Sequence, residues 1–242
     1  MSESLIGHAM SVPDGIFNGT GASNNAIPLG SRVISQSGVE YARALVGAVA
    51  LAPGKLYQAP AEITNHQGLT PAAAAIGALE VTVTLGATAA TANYYAGGSL
   101  VVTITPGEGY RYRILSHPAA DLSATLVLAL VPSEPIQVAL TTSSRVDLFP
   151  SIFSNVVVNP TTATSAPVGA AVNTSGIGKY TWLARNGDVV LLADGTVTVG
   201  TALVASNATA GAVEALTGVQ AAIGNALTGI ATTDYGLVNL SL

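Results

Sequence analysis

The side chains best suited to acid–base work in this 242-residue chain are His8, His66 and His117, because imidazole titrates near neutrality. All three fall in loop-like contexts, and none has a partner at metal-ligand spacing. Ser116, His117 and Asp121 stand close together and supply the residue types of a nucleophile, a base and an orienting carboxylate. A working triad is assembled in space from separate elements rather than along one loop. His117-Pro118 therefore reads as a turn and Asp121 as a solvated carboxylate. The glycine clusters Gly97-Gly98, Gly107-Glu108-Gly109 and Gly176-Ile177-Gly178 neither open a helix after a strand nor precede Lys-Ser/Thr, so they read as hairpin turns and not phosphate cradles. Acidic residues are too few for a carboxylate cluster, and Asp-x-Asp calcium spacing is absent. Cysteine is absent, which excludes disulfides and thiolate metal sites. The expectation is a chain that is not an enzyme and carries no cofactor and no metal.

Binding chemistry is a little better represented. In Tyr110-Arg111-Tyr112-Arg113-Ile114, side chains alternate across a strand, so Tyr110, Tyr112 and Ile114 share one face and Arg111 and Arg113 the other. The two arginines could form a recognition stripe for an acidic partner surface; a solvated strand face is the competing reading. Trp182 is the single tryptophan and reads as core packing, with sugar stacking as the minority role. Asn18, Asn173 and Asn207 open Asn-x-Ser/Thr triplets, which read as chance in a chain rich in Thr and Asn.

Composition narrows the class. Hydrophobic residues make up 49% and charged residues only 9%, where about 25% charged is ordinary. The surface must then be covered by Thr, Ser, Asn, Gly and Ala, as on proteins that live packed against others. The net charge of −5 and eight scattered Lys and Arg leave no basic patch for a nucleic-acid backbone. The longest apolar run, Ala44 to Ala52, is too short to span a membrane. Met1-Ser2-Glu3-Ser4 lacks the basic region and apolar core of a secretion signal.

The elements that would position these residues are strands. Val168-Gly169-Ala170-Ala171-Val172 leads to Tyr180-Thr181-Trp182-Leu183, and Ile223-Gly224-Asn225-Ala226-Leu227 leads to Tyr235-Gly236-Leu237-Val238. Gly169 matches Gly224, Ala171 matches Ala226 and Tyr180 matches Tyr235, so two similar hairpins are expected to frame a small barrel or sandwich. Tight turns such as Asp194-Gly195 punctuate the runs between them. Upstream, Val81–Leu85, Ser99–Thr105, Tyr110–Ile114, Leu126–Leu130, Ile136–Leu140 and Val146–Phe149 read as strands. Tyr41–Ala52 fits helix or strand, and Pro71–Ala78 fits one or two helical turns. The predicted fold is all-β: an extended N-terminal arm over 1–40, a central antiparallel β-domain over 41–158, a linker over 159–167 and a C-terminal small β-barrel or sandwich over 168–242. Leu5, Ile6, Ile16, Phe17 and Ile27 could anchor the arm against a neighbouring subunit.

Two stretches resemble a known family. Ala96-Gly97-Gly98-Ser99-Leu100 through Gly109-Tyr110-Arg111-Tyr112-Arg113-Ile114, and the C-terminal unit with Asp194-Gly195-Thr196-Val197, Gly200-Thr201-Ala202-Leu203 and Ile223-Gly224-Asn225-Ala226-Leu227, resemble the β-rich decoration (cement, head-stabilising) proteins of tailed bacteriophages. The likeness covers roughly residues 90–242. It implies a non-enzymatic virion protein on the capsid exterior, bound to the major capsid protein and to itself as a homotrimer or homodimer, with no nucleic-acid or membrane partner. Leu5, Ile6, Ile16, Phe17, Arg111 and Arg113 are the candidate capsid or inter-subunit contacts. The alternative is a tail-fibre or receptor-binding module that recognises host glycan, for which 5% aromatics supplies few stacking platforms. A secreted adhesin and a polysaccharide lyase fit less well, the first for want of a signal peptide and the second for want of paired carboxylates. A major capsid protein is disfavoured because no long charged helix is present.

Overall fold

The computed structural model describes residues 11–12 and 27–242. The chain divides into two compact units, one formed by 1–60 together with 152–242, the other by 61–151. Strands come in chain order. β1 (Ser11–Val12), β2 (Arg32–Ser35), β3 (Glu40–Leu45) and β4 (Leu56–Gln58) precede β5 (Glu80–Thr84), β6 (Ser99–Ile104), β7 (Arg111–Ser116), β8 (Thr125–Leu130) and β9 (Arg145–Phe149). Then follow β10 (Val157–Val158), β11 (Pro167–Ala171), β12 (Tyr180–Leu192), β13 (Ala202–Ala205), β14 (Val213–Ala215), β15 (Gly224–Ala226) and β16 (Tyr235–Ser241). The fold is all-β, as the alternation in the sequence predicts.

In the unit 61–151 the sheet order is β5-β8-β7-β6-β9. Alternate residues turn inward: Val81 and Val83, Leu100 and Val102, Tyr112 and Ile114, Leu126, Leu128 and Leu130, Val146 and Leu148 form one buried cluster. Each such side chain contributes about 1.5–3 kcal/mol on burial. Residues 69–72 cover both edge strands. Leu69 and Val146 of β9 exchange N–H···O bonds of 2.9 and 3.0 Å, and Ala72 N–H donates to Thr82 O of β5 at 2.8 Å. The sheet thereby closes on itself, which removes the unpaired edges that invite aggregation. Pro71–Ala78 forms these bridges rather than helical turns, because Pro71 and Ala74 pair with Val83 and Leu140.

The other unit is organised on β12, thirteen residues long. Its main sheet runs β1-β2-β3-β12-β16-β15-β13-β14, with β11, β4 and β10 branching from β12. Ala184 pairs with Tyr41 of β3 and with Ala170 of β11; Asn186 pairs with Glu40 of β3 and with Ser241 of β16. One edge of β12 thus serves β11 first and β16 later. Leu56 N–H donates to Gly211 O, and Gly211 N–H donates to Asn159 O, both at 2.8 Å. The branch therefore meets the chain just ahead of β14, and the sheet curls.

The expected repeat is present in the register. Ala170↔Ala184 and Ala171↔Leu183 in the β11–β12 hairpin recur, each shifted by 55 residues, as Asn225↔Asn239 and Ala226↔Val238 in β15–β16. A shorter device recurs in both units. Leu51↔Ser175, Ala90↔Ala120 and Val197↔Ile230 form isolated antiparallel bridges. Three residues beyond each of these six stands a residue with positive φ: Gly54, Gly178, Asn93, Ser123, Gly200 and Thr233. The left-handed residue reverses the chain into the next turn or strand. Glycine takes this conformation without steric cost, whereas a β-branched residue pays for it. Thr233, at φ 62°, is the costly member of the set. Thr233→Gly is expected to raise stability by about 1 kcal/mol, read as a melting temperature about 2–4 °C higher for a chain of this size.

Several boundaries differ from the sequence reading. The central domain is not 41–158, and 168–242 is not self-contained: β3 pairs with β12, and β4 pairs with β10 and β11. Residues 159–167 do not behave as a free linker. Asn159 is buried, its N–H donates to Leu56 O at 3.0 Å, and Pro167 pairs with Gln58. Within 1–40, Arg32–Ser35 is a paired strand rather than irregular arm. Tyr41–Ala52 resolves as β3 followed by loop. Ile136–Leu140 is not a strand, though Ile136 is buried and bonds through its N–H to Ala78 O.

Candidate functional site

The groups of the unit 61–151 most able to do chemistry are two buried histidines, His66 and His117. His66 closes a single 3-10 turn, Thr64–His66, and is fully buried. Its Nε2 lies 2.8 Å from Thr88 O. A carbonyl only accepts, so Nε2–H donates and Nδ1 is left to accept the Tyr95 hydroxyl. His117 is buried too. Its Nε2 accepts the Tyr95 backbone N–H at 3.0 Å, and its Nδ1–H donates to Pro118 O at 2.7 Å. Asn93 Oδ1 accepts the His117 backbone N–H at 3.0 Å. Burial pushes the His117 pKa down, the bond to Pro118 opposes that, and the neighbouring His66 adds to it. Burial also pushes the Tyr95 phenol well up, with Tyr94 adding to the effect. Both nitrogens of each ring are committed to holding three loops together. His117 has none left to activate Ser116, so Ser116, His117 and Asp121 are neighbours without the geometry of a triad.

Arg111 and Arg113 do share the outer face of β7, opposite buried Tyr112 and Ile114. Arg111 Nε donates to Ser99 Oγ at 2.6 Å. The face is mixed in charge. Val101 pairs with Arg111 on one side and Asp147 on the other, and the Glu134 carboxylate accepts the Arg113 backbone N–H at 3.0 Å. Tyr110, just ahead of β7, is 42% exposed and stacks on buried Tyr112, ring centroids 6.2 Å apart and 9° from parallel. Trp182 packs against the core cluster built on β12 and β16, with the Arg43 guanidinium 5.7 Å from its ring centroid. Leu5, Ile6, Ile16 and Phe17 lie outside the described residues, whereas Ile27, within them, is exposed.

In the unit 1–60 plus 152–242 a cleft of about 510 Å³ is lined by Val39, Tyr41, Pro53, Gly54, Val189 and Tyr235, with Asp188 as its charged group. Tyr235 lies over Gly54: a Cβ built on Gly54 would sit 2.6 Å from the tyrosine ring. The side chains that bound this cleft come from positions as far apart as 39 and 235, so spacing along the sequence carries no sign of it. The Pro53-Gly54 turn is its one legible part.

Among the described residues no three His, Asp or Glu side chains are grouped to hold a metal ion, and no helix is long and apolar enough to cross a membrane. No family model matches the chain, and no curated protein or solved structure shows significant similarity to it.

Proposed function

We propose that this chain is a structural virion protein, a capsid decoration protein that binds the outer surface of an icosahedral phage head and bridges neighbouring capsomers. The observation that carries the reading is how the side chains are spent. The ring nitrogens of His66 and His117 are used to hold the fold, while large apolar side chains are left facing water: Ile104, Leu115, Leu122 and Val127 in one unit, Val190, Val199, Leu227 and Leu237 in the other. Apolar surface of this kind supports association, and low charge keeps its desolvation cost small. The partners in this reading are the major capsid protein and further copies of the chain, with affinity multiplied over many copies.

The test uses purified phage heads and the full chain. Saturable co-sedimentation at a fixed ratio per capsomer, with a raised melting temperature of the shell, is the expected outcome. Absence of binding to shells would overturn the reading. In that case the exposed Tyr110 platform makes glycan recognition the next hypothesis, and a glycan array the next measurement.

A further inference from the structure

Arg111 and Arg113 are both exposed on the outer face of β7, and side chains two apart on a strand stand about 7 Å from one another. The bond from Arg111 Nε to Ser99 Oγ steadies the first of them. The carboxylates on neighbouring segments are turned to main chain instead. Asp147 Oδ1 accepts Gly68 N–H at 2.6 Å, and Glu134 Oε2 accepts Arg113 N–H at 3.0 Å. Among the described residues neither guanidinium forms an ion pair, whereas Arg32, in the other unit, meets Glu40 at 2.7 Å. β7 continues with Leu115, and the neighbouring β8 carries Val127; they are 53% and 40% exposed. The face therefore runs from cationic to apolar.

We propose that this face docks on an acidic protein surface of the shell: Arg111 and Arg113 each take a carboxylate, and Leu115 and Val127 cover apolar side chains beside them. The inference rests on the decoration reading and names its contact surface. A guanidinium suits the task because its planar fork of donors matches the two oxygens of a carboxylate and it is weakly hydrated, so it leaves water at low cost. Charge selects the partner. A nucleic-acid strand is held by many cations at once. Two arginines in a chain of net charge −5, with Glu80 and Glu108 exposed on the same unit, do not supply them, and the surrounding carboxylates repel such a polyanion. Carboxylates set singly in a folded surface pair locally, with repulsion from more distant acids screened by salt. Each exposed pair contributes little, which suits a contact repeated over a whole shell.

Purified phage heads serve as the probe, and the full chain is followed by co-sedimentation. Arg111→Gln/Arg113→Gln should bind about tenfold more weakly than the parent. Raising salt from about 0.05 to about 0.5 M should weaken the parent and leave the double variant nearly unchanged. Arg111→Lys/Arg113→Lys keeps both charges and should keep the salt response. Arg32→Gln removes the same charge from the other unit and should change binding by less than about twofold. Should the loss of the Ser99 bond lower the melting temperature of the double variant, Arg113→Glu alone decides, with binding about fivefold weaker. Shells that bind the parent and the variants alike overturn this inference alone and leave the decoration reading standing. Shells that bind neither overturn both. Retention of the parent on heparin at about 0.15 M salt, lost in the double variant, would assign the face to a polyanion and overturn the proposal as well.

Discussion

Replacing Gly98 by alanine is expected to unfold the unit 61–151 under conditions where the parent chain is native. A Cβ at position 98 would lie 2.2 Å from Phe149 O and 2.9 Å from both Pro150 C and Ser151 N. All three are main-chain atoms, so no rotamer change can make room. Nor can Gly98 itself move. Its N–H donates to Tyr95 O at 2.9 Å and its C=O accepts Ile114 N–H at 3.1 Å, while the next residue, Ser99, is paired with both Arg113 and Phe149. Relief requires separating β6 from β9, which opens the ring of strands and wets the cluster holding Leu100 and Leu148. The expected loss exceeds about 3 kcal/mol, the scale of overpacking that shifts a backbone. Thermal unfolding combined with limited proteolysis should show cleavage concentrated between 61 and 151. Gly229→Ala is the matched control, since its Cβ would meet only Val197 O at 3.9 Å; a change within about 0.5 kcal/mol is expected there. A Gly98→Ala chain that melts with the parent would mean that β6 and β9 do not approach as described.

The same contrast explains what could be read from the sequence. The strands β5 to β9 are visible because one face is buried and the other is not, so Leu126, Leu128 and Leu130 alternate with Thr125, Val127 and Ala129. The 55-residue repeat is visible because matched glycines lie where backbones approach closely: a Cβ built on Gly169 would sit 2.8 Å from Ala184 O, and one on Gly224 2.3 Å from Asn239 O. The division into units is not visible. It rests on Gln58 pairing with both Val157 and Pro167, contacts about a hundred residues apart, while the Thr- and Pro-rich stretch 160–167 has the composition of a linker. The left-handed turns at Asn93, Ser123 and Thr233 lack the glycine that marks Gly54, Gly178 and Gly200. Only the shared offset from a bridging residue reveals them. The candidate cleft is the least legible, because its lining is gathered from positions as far apart as Val39 and Tyr235.

Acid should destabilise the unit 61–151 through His117. In the fold, Nε2 of this ring accepts the Tyr95 N–H; a proton there would set two N–H groups against each other in a buried site. Nδ1 is already a donor to Pro118 O, so the charge would gain no new acceptor. Burial, the first cause of the lowered pKa, and the nearby His66 act in the same direction, against the bond to Pro118. With the folded pKa below the unfolded one, the unfolded chain binds more protons as pH falls. The stabilising contribution is complete above the unfolded value near 6.5 and is lost as pH drops below it, at up to about 1.4 kcal/mol per pH unit for one such group. Melting temperatures between pH 7.5 and 5 should therefore fall, most steeply below 6.5. His117→Gln keeps an acceptor for Tyr95 N–H and a donor for Pro118 O but cannot be protonated, so its profile should be flatter over that window even if its stability at pH 7.5 is lower. Parallel profiles for the two proteins would show that the acid response originates elsewhere.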